Sequence, residues 1–311
     1  MIGIDVGGAN LKVADDDGVH IHYCPLWSGA PLSDLLRQYT RGRDTQAAVV
    51  MSGELADCFE NKLQGITFIV NAIREVFPAA RFYGTDAAFH DRPVPELAAA
   101  NWLASADFLQ KTYPDAVLLD IGSTTADIIP LSRFSSLIGL SDLARLRKGY
   151  LVYTGMLRTP VTTILSSVNL DGIPTPVSTE YFATSADAHL VLGHITEKDY
   201  RCETPDHKEK TRNACLRRLA RVVCADVEEI GETGARQIAE AFWDRQQALV
   251  CDAVHRVTDD SDASSVIVAG LGSTLFARAC RGTDLAHVLG PASDALPAYA
   301  VREVAVWKGG T

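Results

Sequence analysis

Leu118-Leu119-Asp120-Ile121-Gly122-Ser123-Thr124-Thr125-Ala126-Asp127-Ile128-Ile129 is the stretch whose reading decides the fold. An apolar run reaches an aspartate, turns at a glycine, passes three hydroxyl residues and becomes apolar again. This pattern predicts a strand, a tight turn and a returning strand. Gly122 lets the backbone turn with no side chain in the way. Ser123, Thr124 and Thr125 then offer hydroxyl and amide donors to whatever lies above the turn, with Asp120 beside them. Phosphate oxygens accept from such donors, and a carboxylate at that edge can hold magnesium directly or through water.

The N-terminus repeats the design. Ile2-Gly3-Ile4-Asp5-Val6-Gly7-Gly8-Ala9-Asn10-Leu11-Lys12-Val13-Ala14 is again strand, aspartate, glycine turn, polar residues and strand. Two such hairpins, well separated in one chain, imply two similar halves facing one cleft. Near the C-terminus, Val266-Ile267-Val268-Ala269-Gly270-Leu271-Gly272-Ser273-Thr274 reads as a buried strand ending in a glycine turn. A helix is expected from Leu275 to Cys280, with Ser273 as its N-cap.

Together these motifs resemble the two phosphate motifs and the adenosine motif of the acetate and sugar kinase, heat-shock chaperone and actin superfamily (ASKHA). The resemblance implies an α/β protein of two ribonuclease H-like (actin-like ATPase) lobes around a central cleft. The lobes would span residues 1–112 and 113–311, and a closing helix at 296–307 would cross back to the first. It implies phosphate binding at Gly7, Gly8 and Asn10 and at Gly122, Ser123, Thr124 and Thr125. Gly270, Gly272 and Ser273 would take adenosine, and Asp5 and Asp120 would hold Mg2+.

The rest of the chain sets limits. A length of 311 residues with 47% apolar content fills a sizeable core, which excludes disorder. The net charge of −10 argues against a nucleic-acid partner held through phosphates. No apolar run is long enough to span a bilayer and the N-terminus enters a strand directly, so a cytoplasmic protein with no membrane partner is expected. The 7 cysteines form no close pair of metal-ligand spacing and are expected to be reduced, mostly buried thiols. His20 and His22 alternate on a strand with no third ligand nearby, and read as ordinary histidines.

In chain order, a helix is expected over 31–39, capped by Ser33 or the preceding turn, and a strand over 47–51. That strand ends in Ser52-Gly53-Glu54-Leu55-Ala56-Asp57, at the strand end where open α/β sheets bind ligands. Glu54 and Asp57 are site candidates, or caps of the helix expected over 61–76. A strand at 81–84 leads to Thr85 and Asp86, and a helix over 95–106 carries Trp102 as a core residue. Arg158, placed before a Thr-Pro, has the reach to grip a carboxylate or phosphate bidentately, or pairs with a surface acid. Thr184 or Ser185 is expected to cap the helix of Asp187. A basic helix over 206–223 reads as a solvated face or subunit contact, and long helices are expected over 235–257 and 296–307.

Four stretches narrow the reaction: 51–59, 99–104, 153–161 and 217–221. They resemble a small branch of the hydantoinase/oxoprolinase A-type proteins, in which a methanogen member makes an intermediate of methanofuran and others are linked to tetrahydromethanopterin-dependent one-carbon metabolism. The resemblance implies a transferase that joins an aminomethylfuran-methyl diphosphate to the phenol of a glutamyl-tyramine or glutamyl-tyrosine acceptor and releases pyrophosphate. The phosphate loops would hold the leaving group, with Lys12 and magnesium neutralising it. Glu54 would be the base for the phenol and Asp86 the second candidate, while Arg158 would anchor the acceptor carboxylate or the diphosphate. ATP is not required in this reading. An ATP-dependent small-molecule kinase using the Gly270 turn is the alternative, and a homodimer is the expectation from the superfamily.

Overall fold

The computed structural model describes residues 1–40 and 45–309; the last two residues of the second lobe, as bounded above, lie outside the described residues. Two sheets carry the chain. In the first, β1 (Ile2–Val6), β2 (Asn10–Asp15) and β3 (Gly18–Tyr23) form an antiparallel meander. β4 (Ala47–Met51) lies parallel to β1, followed outward by β5 (Arg81–Tyr83) and the antiparallel β6 (Phe89–His90). In the second, β7 (Ala116–Ile121), β8 (Ala126–Pro130) and β9 (Leu151–Val152) repeat the meander. A separate hairpin, β10 (Ser167–Leu170) and β11 (Ile173–Pro176), intervenes. β12 (Ser265–Ala269) then lies parallel to β7, and β13 (Thr283–Asp284) parallel to β12. The orders β3-β2-β1-β4-β5-β6 and β9-β8-β7-β12-β13 are therefore one plan used twice. This is the two-lobed α/β architecture that the paired hairpins imply.

β1, β4 and β7 are buried at every position. Strands covered on both faces read as unbroken apolar runs, which is why these three lack polar alternation apart from their aspartates. The Lys62–Val76 helix covers the first sheet through Ile66, Ile69, Val70 and Ile73, the spacing of one helical face. The Val227–Ser261 helix does the same for the second through Ile238, Phe242, Val250 and Val254, with a break where Gly231 takes φ 67°. Between the sheets lies a third core. There Trp102 and Leu103 of the Asn101–Leu109 helix, and Leu296, Val301 and Val304 of the Leu296–Gly309 helix, meet Val50, Leu118 and Ile267. The closing helix thus packs on β1, β2 and β4 of the first lobe. Gly3 permits that approach, since a Cβ there would stand 1.9 Å from the Ala298 carbonyl oxygen.

Several local expectations change. The first helix is Leu32–Arg37 and has no side-chain cap; the Ser33 hydroxyl donates instead to the Ala72 carbonyl at 3.3 Å. Asn61, and neither Glu54 nor Asp57, caps the next helix by accepting from the Gln64 amide. The helix expected over 95–106 is a short 3-10 turn, Pro95–Leu97, then a break with Ala99 at φ 48°, then Asn101–Leu109. Thr184 and Asp187 close a capping box on the Ser185–Leu192 helix. Gly272, not Ser273, is the cap residue of the Ser273–Ala279 helix.

The basic helix starts only at Arg212, capped by Thr211, and ends at Arg221. Its Arg218 is not solvated: it is fully buried and paired with Asp187 at 2.8 Å and Asp206 at 3.1 Å. Such a guanidinium stays inside because carboxylates and backbone carbonyls replace its water. Cys251 and Cys280 are joined as a disulfide with Cα atoms 5.5 Å apart, against the expectation of reduced thiols. Helix and strand bring these two together although 29 residues separate them, a distance no spacing rule reads. His20 lies 3.5 Å from Asp15, and the His22 ring is hydrogen-bonded to the Tyr39 hydroxyl. Among the described residues no helix is long and apolar enough to cross a membrane.

Candidate active site

The two aspartate hairpins are built alike down to single hydrogen bonds. The Gly7 amide donates to the Asn10 carbonyl at 2.9 Å, and the Gly122 amide donates to the Thr125 carbonyl at 3.0 Å. Asp5 stands opposite Lys12 across its hairpin, and Asp120 stands opposite Asp127 across the other. The turns meet: the Asn10 side-chain Nδ2 donates to the Ser123 hydroxyl at 3.2 Å, bridging the lobes. A cavity of about 900 Å³ opens over this junction, lined by Asp5, Gly7, Gly8, Asn10 and Lys12 from one side. Asp120, Gly122, Ser123, Thr124, Thr125 and Asp127 line it from the other.

Burial governs the acids. Asp5 and Asp120 are 4% and 7% exposed. Desolvation raises Asp5 to about 6, with the Lys12 ammonium pulling it back and Asp127 pushing it up. Asp120 rises to about 7, also from burial first, with Lys12 opposing and Asp127, Asp5 and Asp294 adding to it. Oxygen Oδ1 of Asp5 is buried without a hydrogen-bond partner, as a cation ligand would be. Among the described residues no group of three His, Cys, Asp or Glu is placed to hold a metal. A magnesium ion that draws its remaining ligands from phosphate and water needs only one or two carboxylates.

Glu54 lines the same cavity. It is 2% exposed, and burial lifts its pKa to about 6, while backbone hydrogen bonds at Glu54 and Ala99 and the charge of Lys62 draw it back. One carboxylate oxygen, Oε2, has no partner. Two glycines hold this segment in place. A Cβ on Gly53 would stand 2.8 Å from the Gly7 carbonyl oxygen, and one on Gly65 would stand 2.0 Å from that of Glu54. The Lys62–Val76 helix therefore docks its first turn directly on the Glu54 backbone.

Arg158 is also on the cavity wall, as expected, and its Nη1 donates to the Thr124 hydroxyl at 3.4 Å. Its guanidinium lies 4.6 Å from the centre of the Trp27 ring, a second contact between the lobes. Gly155 packs so closely on the second turn that a Cβ would stand 2.6 Å from the Thr124 nitrogen.

Not every expected residue is here. Asp86 lies off the cavity wall: exposed beyond β5, it accepts from the Ala88 amide at 3.2 Å and pairs with His90 at 3.0 Å. It sits within the loop between β5 and β6, apart from the residues that line the cavity. Gly270, Gly272 and Ser273 are likewise absent from the wall. Packing accounts for the two glycines. A Cβ on Gly270, which takes φ 87°, would stand 2.4 Å from the Ile121 carbonyl oxygen, and one on Gly272 would stand 2.8 Å from Ile121 Cγ2.

Sequence reasoning missed Arg145, Asp127, Trp27 and Lys62. Arg145 is 2% exposed, bonded to Asp127 and to Asp142 at 2.8 Å, and stacked 4.3 Å from the centre of the Trp102 ring. Burial raises Asp127, and the Arg145 charge is the main force against that. Asp127 had a readable signal, because it occupies the place in its hairpin that Lys12 occupies in the other. Arg145, Trp27 and Lys62 had none, since each reaches the cavity from a different element.

The model of the hydantoinase/oxoprolinase family matches residues 45–305. A Methanocaldococcus jannaschii protein named (4-{4-[2-(gamma-L-glutamylamino)ethyl]phenoxymethyl}furan-2-yl)methanamine synthase is 35% identical over 89% of this chain and 87% of its own. A Methanococcus vannielii protein of the same name is 34% identical over 55% of this chain and 78% of its own. Among solved structures, a ROK family glucokinase from Streptomyces griseus with glucose and AMPPNP aligns over 99% of both chains at 12% identity, with a TM-score of 0.43.

Proposed function

The chain belongs to the hydantoinase/oxoprolinase family, and we propose that it forms an aryl ether by displacing a diphosphate. The compound in the relatives' name contains one bond between a phenol oxygen and a furanylmethyl carbon. The reading carried to this chain is that the donor is an aminomethylfuran bearing a methyl diphosphate, and the acceptor a glutamyl-tyramine or close analogue. The phenol oxygen attacks the furanylmethyl carbon, the bond from that carbon to the diphosphate oxygen breaks, and its electron pair leaves as pyrophosphate. Glu54 takes the phenolic proton.

The observation that carries the proposal is the unpartnered, buried Glu54 carboxylate oxygen in a cavity shared with both glycine turns. A phenol of pKa about 10 needs such a base near neutral pH. With its own pKa raised to about 6, Glu54 is ionised there and still basic enough to accept a proton. Lys12, Arg158 and the donors of the two turns receive the leaving group, whose charge grows as the bond breaks. Asp5 and Asp120 fit magnesium, because Asp5 Oδ1 lacks any other partner; the ion, when bound, neutralises diphosphate charge.

The test is incubation with the furan diphosphate, γ-glutamyltyramine and magnesium, followed by pyrophosphate release and mass spectrometry of the ether. Both products are expected. ADP release from ATP with a small alcohol, and no ether, would replace the proposal with a kinase.

A further inference from the structure

We infer that Lys62 is a catalytic residue of the same site, the cation that stabilises the phenolate as Glu54 removes its proton. This rests on the ether-forming reading. The cavity wall holds four Lys and Arg side chains: Lys12, Lys62, Arg145 and Arg158. Three have evident work. Lys12 answers the charges of Asp5, Asp120 and Asp127. Arg145 is bonded to Asp127 and Asp142, and Arg158 touches Thr124 on the second turn and Trp27 across the cleft. Lys62 is half-buried and forms no ion pair with any described residue.

Its place is set by backbone. Lys62 opens the 15-residue helix capped by Asn61, and Gly65, in that same first turn, lies against the Glu54 backbone with no room for a Cβ. The lysine is therefore tied to the segment that carries the base. It is also near enough that its charge opposes the rise of the Glu54 pKa. The cavity wall is also apolar in part. Leu55, Leu143 and Leu146, which are 65%, 57% and 47% exposed, line the same cavity and offer surface that suits an aromatic ring. A phenol held between those leucines presents its oxygen to a base and a cation together. The proton moves to Glu54, the oxygen gains negative charge, and Lys62 keeps its own proton and lowers the energy of that charge.

The experiment compares γ-glutamyltyramine with a ring-fluorinated analogue whose phenol is already ionised at the assay pH, in the wild type, Lys62→Gln and Lys62→Arg. For Lys62→Gln, kcat/KM with the ordinary acceptor is expected to fall about 100-fold. The fluorinated acceptor should lose far less, and Lys62→Arg should recover most of the rate with both. An equal loss with both acceptors overturns the inference, because a lysine that only shapes or binds has no reason to follow phenol acidity. No loss overturns it also. Wild-type protein that makes no ether from either acceptor would sink the ether-forming reading itself, a result distinct from the other two.

Discussion

The two hairpins share a backbone and differ in charge. Each has an aspartate on its first strand and a glycine amide closing the turn. Each is also braced by the segment leaving the parallel strand beside it. The amides of Ser52 and Gly53 donate to the Val6 carbonyl, and that of Gly272 donates to the Ile121 carbonyl, the matching position. The contents then diverge. The residue opposite the aspartate is Lys12 in the first hairpin and Asp127 in the second. Where the first lobe continues from its bracing segment into Glu54, the second continues into Ser273 and a helix. The difference teaches that the duplicated frame supplies a place to hold polyanions, while single side chains make one half the neutralising side and the other half acid-rich. Arg145 is what the second half needs in order to tolerate its extra acid.

The largest effect should come from the divergent continuation. Glu54→Gln is expected to lower kcat about 1000-fold with little change in diphosphate affinity, whereas Ser273→Ala should change kcat less than twofold; steady-state kinetics with both substrates checks this. Wild-type kcat should rise with pH through about 6, where Glu54 loses its proton, and the slope should vanish in the variant.

Removing the compensating cation is next. Arg145→Ala leaves Asp127 buried without its pair and is expected to destabilise the protein by about 3 kcal/mol in urea unfolding at pH 8. The loss should shrink as the pH is lowered, because burial raises the Asp127 carboxyl and a protonated carboxyl no longer needs the guanidinium.

Asp120→Asn tests whether the frame carries charge against its own stability. The folded pKa of about 7 lies above the ordinary 3.8, so the folded state binds the proton more tightly than the unfolded state. Stability from this group is therefore greatest at low pH and falls as pH rises from about 4 through about 7. Without magnesium or substrate, Asp120→Asn should raise Tm by several degrees at pH 8 and hardly at pH 4, while activity is lost. An unchanged Tm at pH 8 would show that Lys12 already offsets the burial.

The smallest effect concerns the bridge between the halves. Asn10→Ala and Ser123→Ala should each cost about 1 kcal/mol, and the double variant no more than either alone, as expected of one shared hydrogen bond. Additive losses would mean that the turns act separately.

Much of the site was legible because its parts are local. Asp5, Gly7, Asn10, Gly122 and the hydroxyls that follow lie within hairpins whose alternation and glycine corners can be read directly, and Glu54 follows a buried strand. Asp86 follows a strand too, but that strand lies two places away from β1 in the sheet, and Asp86 pairs with His90 off the cavity wall. The Gly270 turn was legible as a turn, but a glycine required by a neighbouring carbonyl looks the same in sequence as one required by a nucleotide.

The sequence by itself determined the repeated strand-turn-strand design, the two-lobed α/β plan and the aspartates at its centre, because periodicity, glycine conformation and burial act over a few residues. Only the tertiary structure decided which charges meet. Arg145 finds Asp127, Trp27 finds Arg158, Lys62 stands by Glu54 and Cys251 bonds Cys280. Electrostatic and packing energies depend on distance through space, and two sheets folded against a shared helical layer make near neighbours of residues that the chain keeps apart.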